Sequence, residues 1–276
     1  MICGISVNIT KQNAIDAAIG FSEKLVTRGV KFYWENNINV GYPVLEQREL
    51  ANLCDIVVVF GGDGSVLRIA AACAEAKTPV FTINLGRMSF LAEYKSEELD
   101  KIIDAVINGN YVHEERCLLE VSAKGTTYLA LNEAVVARGS CTRIINFTAH
   151  IDGQFIDRYF ADGVLVSTPT GSTAYNLSAG GPIITPDVDA LVLTPICPHS
   201  LTSRPVVFSS VATVVIKYLS SDRPANLAID GKDIMTLETD DEVEITASKT
   251  KLLFARPIDR QYVNKLIDKL NNWGAQ

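Results

Sequence analysis

The 276-residue chain has no long apolar run, no C-x-x-C pair of cysteines, few histidines and no excess of basic charge. Each absence excludes something. A membrane-spanning helix needs about 20 consecutive apolar residues, so no membrane partner is expected. The opening MICGISVNI lacks a basic segment followed by a long apolar one, so no signal peptide is expected and the cytoplasm is the expected compartment. Six cysteines, at 3, 54, 73, 117, 141 and 197, are scattered and read as reduced core thiols. His113, His150 and His199 lie far apart with no H-E-x-x-H, which argues against a histidine zinc site. The net charge is −7, and a nucleic-acid binder would show a basic stripe. Small phosphorylated ligands stay open, because backbone N–H groups, a few basic side chains and a divalent cation can hold them. Two nucleotide motifs are also missing. There is no G-x-x-x-x-G-K-[ST], and Leu67 stands where the G-x-G-x-x-G fingerprint needs its third glycine. A P-loop enzyme and a hydride-transferring dinucleotide enzyme are both disfavoured.

What is present falls into two rhythms. Residues 2–8, 30–34, 56–60 and 80–83 are short apolar strands. Helical spacing follows in 14–26, after residue 64, and through Leu99, Ile102, Ile103 and Val106. This alternation predicts an α/β domain, a parallel sheet with flanking helices. From about residue 114 the chain changes to short Val-, Ile- and Thr-rich segments: 118–122, 126–131, 134–138, 146–151, 164–167, 191–194, 211–218 and 242–247. Turns such as Asp152-Gly153 and Asp230-Gly231 punctuate them. That pattern predicts an all-β sandwich. After Pro257, Tyr262, Val263, Leu266, Ile267 and Leu270 form one apolar helical stripe that needs a partner.

Residues 57–76, VVVFGGDGSVLRIAAACAEA, place three glycines and an aspartate between a strand and a helix. Ligands of open α/β sheets bind beyond the carboxyl ends of the strands. A helix starting near Ser65 would aim unpaired N–H groups at an anion there. The glycines allow close backbone approach and positive φ, so Gly61, Gly62, Gly64 and Ser65 suit a phosphate cradle. Asp63 repels phosphate and needs another role: a helix N-cap, a metal ligand, or a base accepting a proton from an attacking hydroxyl. The second dense stretch, residues 162–182, reads DGVLVSTPTGSTAYNLSAGGP, with nine Ser, Thr and Gly residues between 167 and 181. Its hydroxyls and amides suit ribose and base edges, and Tyr175 offers a stacking face. Asn132-Glu133, at the start of a strand, can hold a pair of sugar hydroxyls; read alone it is a solvated turn.

Taken in order, these segments resemble the NAD kinase family. FGGDGS is similar to its GGDG[TS] loop, INLGRMSFLAEY to its N-x-G-x-[LM]-G-F-L segment, and NEAVV to its N-[ED] pair. DGVLVSTPTGSTAYNLSAGGPI matches its most distinctive block, and SLTSRPVV, after His199, a later H-[ST]-L-[ST]-x-R-P segment. GGDG is shared with lipid and sphingoid kinases, whereas TPTGSTAY with a downstream GGP is far more specific. The resemblance implies transfer of the γ-phosphate of ATP to the 2′-hydroxyl of the adenosine ribose of NAD. It implies a divalent cation, Mg²⁺, held mainly through ATP with no side chain assigned to it. Asp63 would accept the proton. Gly64 and Arg68 would line the dinucleotide phosphates and ribose, Phe90 the adenine, and Asn132 and Glu133 the ribose hydroxyls. Arg143 would approach from a neighbouring subunit, Asp162 would meet the nicotinamide half, and Thr173, Ala174, Tyr175, Asn176, Leu177 and Ser178 would form the pocket. The implied fold is an α/β domain (1–113 and 257–276), a β-sandwich NAD-binding domain (114–256), and a C-terminal helix packed back on the first. The reactive site would use both domains, and a homodimer or homotetramer is implied. A non-catalytic NAD sensor and a lipid kinase are the rivals. Intact Asp63 and Asn132-Glu133 weigh against the first, and the 167–181 block against the second. Four positions depart from the family pattern: Ser65 for Thr, Ser89 for Gly, Phe160 where a polar group is usual, and Lys232 for Gln.

Overall fold

In a computed structural model the α/β alternation takes the form β1 (Ile2–Val7), α1 (Gln12–Thr27), β2 (Lys31–Glu35), β3 (Val44–Leu45), α2 (Gln47–Leu53), β4 (Ile56–Gly61), α3 (Asp63–Ala76), β5 (Val80–Asn84), β6 (Tyr94–Lys95) and α4 (Leu99–Asn108). The structure describes residues 1–35, 38, 40–85, 89–91, 94–95, 99–139, 143–219 and 224–256. The apolar stripe at 262–270 lies outside them, as does Cys141. The chain forms two compact units. One is Met1–Glu115 together with the chain from Leu252 on, and the other is Arg116–Lys251.

The first unit is built on a parallel sheet in the order β3-β2-β1-β4-β5, with β6 also paired to β5. After Leu252 the chain returns here, and Phe254 pairs with Val80. All six residues of β4 are buried, as expected of a central parallel strand covered on both faces. Ile5, Phe21, Trp34, Val58, Phe60, Phe81 and Ile103 share one core. Strand order runs outward from β1 to β3 and then resumes at β4 on the other side of β1. The topological switch point therefore falls between β1 and β4, where a crevice opens beyond their carboxyl ends. The 16 residues of α1 carry their buried side chains at Ala14, Ala18, Phe21, Ser22 and Leu25, one face at helical spacing. The polar stretch after β2 holds a helix, α2, whose Glu46 and Glu49 form a reciprocal capping box.

The chain continues with β7 (Val112–Ala123), which enters the second unit at Arg116, then β8 (Thr126–Ala130), β9 (Glu133–Arg138), β10 (Ile145–Ile151), β11 (Gln154–Ala161), β12 (Gly163–Ser167), the short α5 (Tyr175–Ser178), β13 (Ala190–Ile196), β14 (Val206–Ser209), β15 (Val214–Tyr218), β16 (Ala225–Ile229), β17 (Lys232–Leu237) and β18 (Glu242–Arg256), whose last residues, from Leu252, belong to the first unit. One antiparallel sheet runs β11-β10-β15-β18, and the other β14-β13-β12-β9-β16-β17. Leu119, Val136, Phe147, Tyr159, Val164, Leu193, Ile216, Leu227 and Ile245 interdigitate between them, which makes a sandwich core.

Several sequence expectations need correction. β11, β14 and β17 were not anticipated and are all sheet edges. Edge strands carry charge, here Asp157, Arg158, Lys232 and Asp233, which hides the apolar alternation. β16 was also missed, and the strand expected at 211–218 begins at Val214 because Val211 is 90% exposed. Of the thiols, Cys3, Cys54 and Cys73 are buried, but Cys117 is half-buried and Cys197 is exposed. Burial pushes the Cys54 thiol up to about 12. No described helix is long and apolar enough to cross a membrane.

Wholly buried Trp34 donates its indole N–H to Ser22 Oγ at 3.0 Å, and Ser22 donates onward to the carbonyl of Ala18 at 2.8 Å. This ties β2 to α1 next to Glu35, a residue that reaches the candidate site. Ser22→Ala strands a buried donor and should lower the unfolding free energy by about 1–3 kcal/mol. Urea titration followed by circular dichroism measures it, and an unchanged midpoint would show that the bond contributes nothing.

Candidate functional site

The end of β4 explains why a carboxylate sits among glycines. α3 begins at Asp63, earlier than expected, and its N-cap is Gly62, with no side-chain capping bond. Asp63 is therefore not the N-cap. Its carboxylate leaves the helix and crosses to the segment beyond β5. Oδ1 accepts the Ser89 hydroxyl and the Leu91 N–H (2.9 Å), and Oδ2 accepts the Phe90 N–H (3.0 Å). Both oxygens are thereby oriented, and the charge is spread over three donors.

The glycines also differ from expectation, since none of Gly61, Gly62 and Gly64 has positive φ. Gly61 is required by contact: a Cβ there would collide with the Ser65 side chain. At Gly62 and Gly64 a Cβ would meet nothing within 4 Å, so these two open onto free space. That space is a cleft of about 550 Å³ at the switch point, lined by Val7, Asn8, Lys11, Gly62, Gly64, Ser65 and Arg68 among others. The starts of α1, with N-cap Lys11, and α3, with N-cap Gly62, both border it without side-chain caps. Two positive helix ends and two basic side chains make it suited to a polyanion. Arg68 lines it with its guanidinium already partnered. Its guanidinium is ion-paired with buried Glu35 and donates to Ser6 Oγ (3.0 Å) and the Val7 carbonyl (3.2 Å). Ser6 in turn donates to Glu35 at 2.7 Å. Glu35 and Ser6 went unnoticed in the sequence, and Ser89 and Phe90 were noticed without their role as donors to Asp63, because nothing in local periodicity signals a bond across 26 to 62 residues.

In the second unit, Asn132 and Glu133 precede and open β9, and the turn between β16 and β17 holds them. Asp230, at φ 48°, accepts the N–H groups of Leu131 (2.8 Å), Asn132 (2.7 Å) and Glu133 (3.2 Å). The block after β12 packs on them. Thr168 donates its hydroxyl to the Leu131 carbonyl at 2.6 Å, and a Cβ on Gly171 would collide with the Asn132 carbonyl. Both side chains are buried, and Asn132 Oδ1 and Glu133 Oε2 lack any protein partner. Leaving such acceptors unpaired costs on the order of 1–3 kcal/mol each, so they mark where donors from a ligand belong. Burial, reinforced by the negative charge of Asp230, pushes the Glu133 carboxyl up to about 8.

Residues 170–178 form a 3-10 turn and then α5 rather than an open loop. Tyr175 projects from it, 43% exposed, and the pKa of its phenol is raised, first by burial and then by the charges of Cys197, Asp162 and Glu133. Asp162 is paired with Arg138 at 2.8 Å. Thr173 is buried, Ala174 and Leu177 are half-buried, and Ser178 is exposed. Asn176 is wholly buried and spends its amide inside the fold. It donates to the carbonyls of Ser172 (3.1 Å) and Pro182 (3.0 Å) and accepts from Thr194 (2.7 Å). Its geometry is that of an anchor for the block. Phe90 is half-buried and Arg143 exposed. Among the described residues no three His, Cys, Asp or Glu side chains converge as a metal site.

Residues 44–111 match a family model described as the ATP-NAD kinase N-terminal domain, and residues 131–257 one described as the ATP-NAD kinase C-terminal domain. An NAD kinase of Desulforamulus reducens is 35% identical over 98% of this chain and 97% of its own length. One from Azotobacter vinelandii is 39% identical over 86% of this chain and 82% of its own. Among solved structures, yeast NADH kinase complexed with NADH is similar with a TM-score of 0.89 and 27% identity, over 98% of this chain and 86% of that one. An NAD kinase from Archaeoglobus fulgidus in complex with ATP gives 0.80 and 26%, over 98% and 99%.

Glu133 makes a pH-dependent contribution whose sign is fixed. The unfolded carboxyl loses its proton near 4.5, while the folded one keeps it to about 8. Between those values the native state binds the extra proton, so stability falls as pH rises, by up to about 1.4 kcal/mol per pH unit. Below the window the favourable contribution is complete, and above it the contribution is lost. Glu133→Gln should flatten this slope and raise the melting temperature at pH 8 to 9. Thermal melts from pH 5 to 9 test it, and equal slopes in both proteins would refute it.

Proposed function

The chain belongs to the ATP-NAD kinase family, and on that premise we propose that it transfers the terminal phosphate of ATP to the 2′-hydroxyl of the adenosine ribose of NAD, giving NADP and ADP. The strongest support from the chain itself is the buried pair Asn132 Oδ1 and Glu133 Oε2, two acceptors without partners. A vicinal diol supplies two donors, and a ribose carries one. Tyr175 would stack on the dinucleotide, with Thr173, Ala174, Leu177 and Ser178 around it, Asn176 anchoring the pocket from within, and Asp162 meeting the nicotinamide half. Phe90 would pack on adenine, and Gly64 and Arg68 would line the dinucleotide phosphates and ribose.

Residues 61–65 would receive the donor phosphates, since Gly62 and Gly64 leave their backbone accessible. A divalent cation, Mg²⁺ in this reading, would be held mainly through the phosphates of ATP. Bound there, it neutralises charge developing on the transferred group. Asp63 would take the proton from the attacking hydroxyl, its oxygens already aimed by the donors at 89–91. We take the enzyme to work in the cytoplasm as a homodimer or homotetramer, with exposed Arg143 serving a neighbouring subunit, and the labour to be divided between functional domains 1–113 with 257–276 and 114–256, bounds a few residues from those of the compact units.

Incubation with NAD, ATP and Mg²⁺ should yield NADP. Asp63→Asn should cut kcat by about 10²–10⁴-fold while NAD still binds. The carboxamide keeps the acceptor for Ser89 and Leu91 and loses only the one facing Phe90. Full turnover by that variant would remove Asp63 from the chemistry, and no NADP from the native protein would overturn the reading as a whole.

A further inference from the structure

Arg256 ends the last described strand and is wholly buried, a costly place for a guanidinium. Its Nε donates to Glu114 Oε2 at 3.1 Å, and its plane lies over the Phe254 ring at 4.4 Å. An ion pair of this kind is weak evidence of a stabilising role, so its other contacts matter. Arg256 Nη1 donates to the Leu91 carbonyl at 3.1 Å and to Thr82 Oγ1 at 3.4 Å. Thr82, on β5 and equally buried, donates its own hydroxyl to the same carbonyl at 2.9 Å. Leu91 is thus gripped at its oxygen by two donors, while its N–H and that of Phe90 hold Asp63. Residues 89–91 belong to no helix or strand, so no ladder fixes them. Their position depends on side chains from elsewhere.

From this chain of contacts we infer that Arg256 and Thr82 are positioning residues for the phosphoryl-transfer step, acting on Asp63 through Leu91. The inference rests on the reading of Asp63 as proton acceptor. A displacement of about 1 Å at a reacting group can cost on the order of 10²-fold in rate. Neither residue touches Asp63, so loss of either should affect kcat and leave the KM of both substrates alone.

Thr82→Val removes the hydroxyl at nearly constant volume, and Thr82→Ser keeps it. Arg256→Lys keeps a charge beside Glu114 without the fork that spans Glu114, Thr82 and Leu91. The test measures steady-state kinetics of the full-length protein with NAD, ATP and Mg²⁺ for each variant, alone and combined with Asp63→Asn. Thr82→Val should lose about tenfold in kcat and Arg256→Lys ~10–100-fold, with both KM values within about twofold and Thr82→Ser close to native. In the Asp63→Asn background neither substitution should lower the residual rate further, since residues that act through one group are non-additive. Native kcat in both Thr82→Val and Arg256→Lys would overturn the proposal, as would losses that multiply with that of Asp63→Asn. If Arg256→Lys fails to fold, the Thr82 pair decides alone. Should Asp63→Asn itself turn over normally, the proton-acceptor reading fails and takes the proposal with it. An inactive Asp63→Asn beside fully active Thr82 and Arg256 variants leaves that reading standing and rejects only the positioning role.

Discussion

The bond set between Asp63 and residues 89–91 is the constraint on which the first unit's site depends. A carboxylate beside an anion cradle would repel the ligand that the cradle is shaped for. Here its charge is taken up by one hydroxyl and two backbone N–H groups, so the repulsion is offset before any ligand arrives. Because the side chain is used in this way, it does not cap α3, and the helix start stays available at the cleft. Two successive crossovers of the sheet, after β4 and after β5, are joined by this one residue. Ser89, where the family pattern has glycine, adds the side-chain donor to a clamp that backbone groups already begin.

The second unit treats its carboxylate in the opposite manner. Glu133 is anchored through its backbone by Asp230, yet one oxygen of its side chain, Oε2, is left without a protein partner. One acid is satisfied by the protein and aimed; the other is desolvated and waits for donors. The difference shows in their physical consequences. An acid held by three hydrogen bonds is fixed in space, whereas an acid buried without them is held protonated up to about pH 8. Hydroxyl donors favour its ionised form, so a diol entering this site both fills the vacant bonds and shifts the carboxyl toward the state that accepts them. The two neighbouring acids, Glu133 and Asp230, persist together because Glu133 keeps its proton and Asp230 is committed to three N–H groups.

The parallel sheet was legible because β1, β4 and β5 are short, largely apolar runs, almost wholly buried. The sandwich was legible from β-branched segments and Asp-Gly turns, two of which adopt the positive φ that such turns require at Asp152 and Asp230. The strands that escaped notice were mostly edges, where charge serves to prevent association and erases the period of two. The same division holds at the site. Asp63, Asn132 and Glu133 stand in short dense motifs and were found. Glu35, Thr82 and Arg256 were not, and Ser89 and Asp230 were noticed only as a departure from the family pattern and as a turn, because each acts through a tertiary contact, from 9 residues away in the chain for Thr82 to 165 for Arg256. A motif shows which residues meet a ligand, and the fold shows which residues hold the motif still.

The glycines separate these two kinds of requirement. Gly61 and Gly171 are small because the protein's own atoms fill the place of a Cβ, a serine side chain in one case and the Asn132 carbonyl in the other. Internal packing gives no comparable reason at Gly62 and Gly64, where the space is open, nor does backbone strain, since their φ angles are ordinary. A residue kept without a side chain beside empty space is explained by what must enter that space. The strand-to-helix turn therefore divides its residues by task. Gly61 closes the turn, Gly62 and Gly64 keep its outer face bare, and Asp63, between them, is held in a clamp of fixed donors.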